Sequence, residues 1–250
     1  MSENYLRQNL LSTTPKIKLG KRLQQIESMI GADYDHIWDC CCDHGLLGAA
    51  LLARQTVACV HFVDRVPELI EQVEIKLLEH YPYQVTKSTK QRWQVHCRDA
   101  SNLPLDNFKG RHLIIIAGVG GDLATQLVSA IHQQHPAEHI DFLLCPVHHQ
   151  FTLREQLIAL NFSLLNETLV IENQRYYEIL LVSNNPNAST RIHPAGSLIW
   201  QADCPEQAEI NADYLRKTLA HYRRKQLNQG AEVQAIIDAY MAIQQSLTQT

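Results

Sequence analysis

Asp39-Cys40-Cys41-Cys42-Asp43-His44-Gly45 closes an apolar run that begins at His36 and leads directly into Leu46-Leu47-Gly48-Ala49-Ala50-Leu51-Leu52. The pattern reads as a strand, a tight turn and a helix. A second acid, Asp64, ends the next apolar run, Val57-Ala58-Cys59-Val60-His61-Phe62-Val63. It falls about 20 residues beyond the turn, where a nucleotide-binding α/β domain places a carboxylate to accept both hydroxyls of a ribose. The spacing implies a nucleoside cofactor.

The turn is not one that cradles a pyrophosphate. Phosphate binding needs glycines for close backbone approach and positive potential at the helix N-terminus. Asp39 and Asp43 instead put negative charge into the turn, which suits a cofactor with positive charge and no phosphate. S-adenosylmethionine (SAM), with its sulfonium and ammonium groups, fits that requirement better than NAD. For Asp43 alone, an N-cap of the following helix is the simpler explanation.

A chain of 250 residues can bury one α/β core and carry a small appendage. It has no apolar run of transmembrane length, and Met1-Ser2-Glu3-Asn4-Tyr5 lacks a signal pattern, so a cytoplasmic protein with no membrane partner is expected. The cysteines number seven with no Cys-x-x-Cys pair, and Cys40, Cys42, Cys59, Cys97 and Cys145 fall in expected strands. They read as thiols filling a core in a reducing compartment, and no metal is expected. A formal charge of -4 argues against non-specific coating of nucleic acid and leaves room for local basic patches. These are Lys16, Lys18, Lys21 and Arg22; Lys87, Lys90 and Arg92; and Arg216, Lys217, Arg223, Arg224 and Lys225, the last free of acids from Tyr214 to Gln226.

From about residue 16 to 183, apolar runs alternate with amphipathic segments, the pattern of a mostly parallel sheet covered by helices. Strands are predicted over 36–41, 57–63, 92–97, 112–117 and 141–145, and helices over 19–30, 46–53, 68–80, 122–132 and 152–160. The β-rich runs 161–171 and 175–182, split by Glu172-Asn173-Gln174, leave no room for a helix and predict a final antiparallel hairpin. The fold expected is therefore α/β, with a seven-stranded sheet whose last strand is antiparallel. Residues 184–204 have linker composition, separating a domain over 1–183 from a helical hairpin over 205–250. In that hairpin Val233, Ile236, Tyr240, Ile243 and Leu247 face Ala208, Ala212, Leu215, Leu219 and Tyr222 across a coiled-coil-like seam. A projecting arm and two helices lying on the main domain both satisfy this pattern.

Chemistry concentrates at the expected strand ends. Ala117-Gly118-Val119-Gly120-Gly121 closes the fourth strand, where the ligand of an open α/β sheet lies, and glycines there let a flat acceptor approach the backbone. Asp99-Ala100 follows the third strand, in position to hold an adenine amino group. Cys145-Pro146 closes the fifth and is followed by His148 and His149, which read as a solvated loop pair.

These pieces resemble the bacterial tRNA adenine-N1 methyltransferases of the TrmK type. The resemblance rests on Arg22-Leu23, the Asp39-x-x-x-Asp43-His44 turn, Asp64 with Val66-Pro67, Asp99, Ala117-Gly118-Val119-Gly120-Gly121, Leu153-Arg154 and Tyr176-Tyr177-Glu178. It implies a Rossmann-like class I SAM-dependent methyltransferase with a C-terminal helical domain, acting on tRNA at N1 of an adenine; the family target is adenine 22. Carried onto this chain, the cofactor residues are Asp39, Cys41, Asp43, His44, Gly45, Asp64, Arg65, Asp99, Ala100, Ala117, Gly118 and Gly120. Asp43, His44 and Gly118 lie nearest the chemistry. Lys18, Arg22, Arg154 and the five cations of the hairpin are the RNA-binding candidates.

The chain departs from the family pattern with Cys41 where a glycine stands, Gly45 after the histidine, and Val119 in place of methionine. A side chain at Cys41 narrows the approach to the cofactor. It motivates a second reading, a non-catalytic methyltransferase-like module that holds RNA or a protein partner. An NAD-dependent oxidoreductase is disfavoured by the acidic, glycine-poor turn.

Overall fold

The computed structural model describes residues 17–54, 59–82, 91–185, 190–229 and 231–248. Lys16, Lys87, Lys90, the N-terminal pentapeptide, the first two residues of the strand predicted from Val57, and 186–189 of the linker lie outside them.

The helices and strands follow the predicted alternation. They are α1 (Lys21–Ser28), β1 (His36–Cys40), α2 (Leu46–Ala53), β2 (Cys59–Asp64), α3 (Pro67–His80), β3 (Trp93–Cys97), β4 (His112–Ala117), α4 (Gly121–Gln134), β5 (Ile140–Cys145), α5 (Gln150–Ala159), β6 (Ser163–Glu172), β7 (Arg175–Ser183), β8 (Thr190–Arg191), α6 (Pro205–Gln229) and α7 (Ala231–Thr248). The strand order is β3-β2-β1-β4-β5-β7-β6-β8. β1, β2 and β3 pair in parallel, and β7 runs antiparallel to both β5 and β6. Among the described residues the sheet has eight strands instead of the seven expected. The extra one, β8, pairs only Thr190 and Arg191 with β6, too short to leave an apolar pattern.

The chain divides into two compact units, Met1–Ile115 and Ile116–Thr250, the division falling inside β4. In the first, strand alternation sends Val60 and Phe62 to one face of β2 and Cys59 and His61 to the other. α2 comes close to the Phe62 face, since a Cβ at Gly48 would lie 2.4 Å from that ring. The opposite face is unusual. Between β3 and β4 the described chain forms only a 3-10 turn, Leu105–Asn107, and Phe108 packs where a crossover helix commonly lies. His36, His61, His96 and His112 line this face. His61 stacks on Trp38 with centroids 3.8 Å apart and planes 10° from parallel. Trp38 donates its indole N–H to His112 Nδ1 (3.1 Å), so His112 carries its proton on Nε2 and donates to Phe108 O (3.0 Å). Burial, with the neighbouring imidazoles, pushes His61 down to about 2, and burial with Arg98 pushes His96 down to about 4. Both rings are neutral at physiological pH.

The core of the second unit joins the sheet to the helical pair. Phe151, Leu169, Ala195, Ile199 and Trp200 pack with Tyr214, Leu215, Leu219, Val233, Ile237 and Tyr240. The helices thus lie on the unit, and within the expected linker Ile192, Ala195, Ile199 and Trp200 are buried. Polar composition around them disguised a packed segment, in which Trp200 Nε1 donates to Ala195 O (2.9 Å). The seam also shifts. Ala208 and Ala212 are exposed, while Asn211 is buried beside Tyr214 and Leu215. Asn211 tolerates burial because its Oδ1 accepts from Gln207 Nε2 (2.9 Å).

Candidate cofactor and nucleic-acid sites

The acidic turn of the first unit is built from left-handed backbone. Cys41, Asp43 and Gly45 have φ of 56°, 50° and 68°. A non-glycine residue in that region is strained by contact of Cβ with the following carbonyl. The turn is held by Cys42 N donating to Val63 O (3.1 Å) and Gly45 N donating to Cys42 O (2.8 Å). The N-cap of α2 is Gly45, with no side-chain cap, so Asp43 is not the capping residue that its position suggested. The role of a cap falls to Asp39, whose Oδ2 accepts from Gly48 N (3.0 Å) at the positive end of α2.

Three carboxylates surround this turn. Asp64 Oδ2 accepts from Asp43 N (3.2 Å) and Oδ1 from Val66 N (3.0 Å), leaving each oxygen a further acceptor site. Asp99 Oδ1 accepts from Ser101 N (2.8 Å), and hydrogen bonds from Ser101 hold its carboxyl below the usual range. Asp39 is 5% exposed, and burial raises its carboxyl to about 7 against the helix-end hydrogen bond, with Asp64 adding repulsion. Cys41 feels all of them. Its thiol is pushed up to about 11 by burial and then by Asp64, Asp39 and Asp99, with Arg65 opposing. Ala100 is buried at the turn after β3, while Asp43 and His44 project outward with Asp43 Oδ1 3.7 Å from His44 Nε2. The arrangement is a half-open, electronegative turn with free acceptor sites, and it fits a cationic nucleoside.

In the second unit, Ala117 to Gly121 forms a turn with Gly118 at φ 85°. The β5–α5 loop braces it, with Gly118 N donating to Cys145 O (3.1 Å) and Gly121 N to His148 O (2.8 Å). A Cβ at Gly121 would fall 2.4 Å from His149 O, and one at Gly120 would fall 2.4 Å from the His148 ring. Close approach within the protein therefore accounts for Gly120 and Gly121, and of this turn only Gly118 is exposed. His148 is exposed, as expected of the loop pair, and His149 is half-buried yet held. His149 starts α5 in a left-handed conformation and pairs through Nδ1 with Asp122 Oδ2 (2.7 Å).

Next to His148 and His149 lies a groove of about 410 Å³, with Arg175, Tyr177, Lys217, His221, Tyr222 and Lys225 among its lining residues. Lys217 sits 5.1 Å above the Tyr176 ring. The expectation of five unpaired cations on α6 needs correction, because Asp213, one residue before the acid-free window, pairs with Arg216 and with Lys217 (2.8 Å). Arg223 and Arg224 are exposed, and Lys225 is half-buried. Arg154 is a plain correction: it is fully buried, with Nη2 2.6 Å from Glu167 Oε2 and 2.7 Å from Glu178 Oε2, so RNA cannot reach it. Lys18 is exposed and Arg22 half-buried in the first unit.

A model of the methyltransferase domain family matches residues 19–180, most of the chain. The protein belongs to the methyltransferase domain family. Comparison with curated proteins finds no match. Among solved structures, the chain is similar to M. capricolum TrmK in complex with the cofactor product S-adenosyl-homocysteine, with TM-score 0.67 and 16% identity over 90% of this chain and 97% of that one. It is also similar to the B. subtilis m1A22 tRNA methyltransferase TrmK, with TM-score 0.63 and 18% identity over 91% and 99%. A Streptococcus agalactiae protein of the NADB-Rossmann superfamily gives TM-score 0.66 and 18% identity over 90% and 97%. At these identities the likeness establishes the fold. The groove residues Arg175 and His221 are additions that no local motif marked, while Tyr177 and Tyr222, singled out in the sequence for other reasons, join them there.

Proposed function

We propose that this methyltransferase-domain protein transfers a methyl group from SAM to N1 of an adenine in tRNA. The observation that carries the reading is the electronegative turn, where Asp39, Asp64 and Asp99 act together on half-buried Cys41 at the carboxyl ends of three neighbouring parallel strands. The TrmK proteins of similar fold support tRNA and adenine N1 as the substrate and position, with adenine 22 as the first candidate.

The bound cofactor would supply an electrophilic methyl group on a sulfonium. The free acceptor sites on Asp64 suit a ribose diol, Asp99 suits an adenine amino group, and Asp39 and Asp43 add negative potential for the cationic end. The solvent-facing backbone of Gly118 offers a flat surface against a base. Adenine N1 is paired inside a helix, so the base must be extruded before it reaches that surface. Neutral N1 already has its lone pair, so positioning in a dry site suffices for attack, and Asp43 and His44 need not act as strong bases.

For the RNA we place contacts along the groove and the outer face of α6, at Arg175, Lys217, Arg223, Arg224 and Lys225, with Tyr177 and Tyr222 offering stacking surfaces. On this reading residues 1–183 carry methyl transfer and lend Arg175 and Tyr177 to the RNA face, 205–250 supply the rest of that face, 184–204 join them, and the protein works in the cytoplasm. Transfer of labelled methyl from SAM to total tRNA, followed by nucleoside analysis, tests it: 1-methyladenosine is expected. Absence of SAM binding both with and without tRNA would instead favour the non-catalytic module that Cys41 motivates.

A further inference from the structure

We propose that His36, Cys59 and His61 form a binding site for one divalent transition ion of the zinc class, on the sheet face away from α2. The ligand atoms of the three side chains all lie within 4.8 Å of one another. The register explains the convergence. His36 of β1 is directly paired with Cys59 of β2, and His61 stands two residues further along the same face. Sequence spacing argued against a metal because it looks for ligands close in one segment, whereas these meet across two strands.

The donor chemistry is specific. Two imidazoles and a thiolate select zinc-like, borderline-soft ions over magnesium or calcium, which prefer oxygen. The geometry needs little change. His36 Nδ1 and His61 Nε2 are 3.0 Å apart, and a tetrahedral ion with bonds of about 2.0–2.1 Å would hold them at about 3.3 Å. On binding, the Cys59 thiol proton leaves to solvent as the sulfur–metal bond forms. With the His61 proton on Nδ1, the proton between the rings is carried by His36 Nδ1, and on binding it is exchanged through solvent to His36 Nε2, so that both imidazoles bind neutral.

The surroundings are those of a supported site. His61 Nδ1 lies 3.0 Å from His96 Nε2. With Nε2 on the metal, His61 must carry its proton on Nδ1 and donate it to His96, which then sets the tautomer and ring orientation of a ligand. Trp38 stacked on His61 fixes the ring plane from one side. His61 is fully buried and Cys59 is 5% exposed, while His36 is half-buried and supplies the entry side. Three protein ligands leave a fourth position for water.

The test uses the full-length protein, stripped by chelator and titrated with Co2+ as a spectroscopic probe, followed by Zn2+ competition. One equivalent should develop visible tetrahedral d–d bands and a near-ultraviolet sulfur-to-cobalt band, both removed by Zn2+. Cys59→Ser should lose the sulfur band and His36→Gln should weaken binding, with His36 chosen as the more exposed ligand in case Cys59→Ser fails to fold. His96→Ala should weaken binding by about 10- to 100-fold as a positioning residue. No bands in the wild type, or bands unchanged in His36→Gln and Cys59→Ser, would overturn the site and assign any cobalt to other thiols such as exposed Cys97 or Cys204. Binding should be unaffected by SAM, which keeps this outcome separate from the fate of the methyltransfer reading.

Discussion

Asp39 is the carboxyl whose chemistry departs furthest from its ordinary state in the acidic turn. Because its carboxyl is raised to about 7, chiefly by burial, the folded protein holds a proton that the unfolded chain has released. Stability from this group is full below the ordinary carboxylate range and is lost as pH rises through about 7, by on the order of 4 kcal/mol at about 1.36 kcal/mol per unit. Asp39→Asn should flatten that part of the stability curve, measured by denaturant unfolding from pH 4 to 8. A cationic ligand prefers the ionised form, so SAM affinity should rise by up to about tenfold per pH unit approaching 7. The asparagine variant cancels the cofactor's own titration, and an equal slope in both proteins would exclude Asp39 from the linkage.

Asp64 and Cys41 make opposite predictions. Asp64→Ala should weaken SAM binding about 10- to 1,000-fold, from the loss of charge-assisted hydrogen bonds at about 1.4 kcal/mol per decade. Since Asp64 also braces the backbone of Asp43 and Val66, Asp64→Asn serves as the milder variant. Unchanged calorimetric affinity in both would remove it from the site. At Cys41 the left-handed backbone favours glycine, offsetting the about 0.5–1 kcal/mol that glycine's freedom costs. Cys41→Gly should keep stability within about 1 kcal/mol and keep or improve SAM affinity. A tenfold loss would make the thiol a positive contact.

At the scale of elements, a buried ion cluster ties α5, β6, β7 and α6 together. Arg154 meets Glu167 and Glu178, Tyr214 donates its hydroxyl to Glu178 Oε1 (2.5 Å), and Ser197 N donates to Glu167 Oε1 (2.6 Å). Truncating Arg154 leaves two buried carboxylates without their cation, so Arg154→Ala should cost about 3–5 kcal/mol in chemical denaturation. RNA affinity, measured on whatever remains folded, should fall only with that loss. The groove cations behave in the opposite way. Arg175→Gln and Lys225→Gln should leave unfolding nearly unchanged while lowering tRNA affinity, each reducing the log-log salt slope by about 0.7–0.9. An unaltered slope would move the RNA contact to Lys18 and Arg22.

Over the whole molecule, what could be read from the chain was what repeats locally. Alternating apolar runs and the Asp39 to Gly45 turn are statements about neighbours in sequence, and the strands and the strand-turn-helix at Asp39 followed from them. Features assembled from distant segments were invisible. Arg154 looked like a surface cation because its charge says nothing of Glu167 and Glu178 arriving from two other strands. Ile192, Ile199 and Trp200 were too sparse among polar residues to declare a core, yet each is buried. Asp213 was missed by one position, and the histidine-lined face is spread over four strands with a single histidine from each.

The shared core of the second unit also bears on descent. Phe151, Leu169 and Trp200 are covered by Leu215, Leu219 and Tyr240, and Glu178 finds Tyr214 there. A lineage that shed α6 and α7 would uncover a greasy surface and an acid stripped of its phenol partner in one event. Losing the pair step by step is therefore costly from the first buried residue, whereas change is cheapest at its outer end, where Leu227 is 85% exposed.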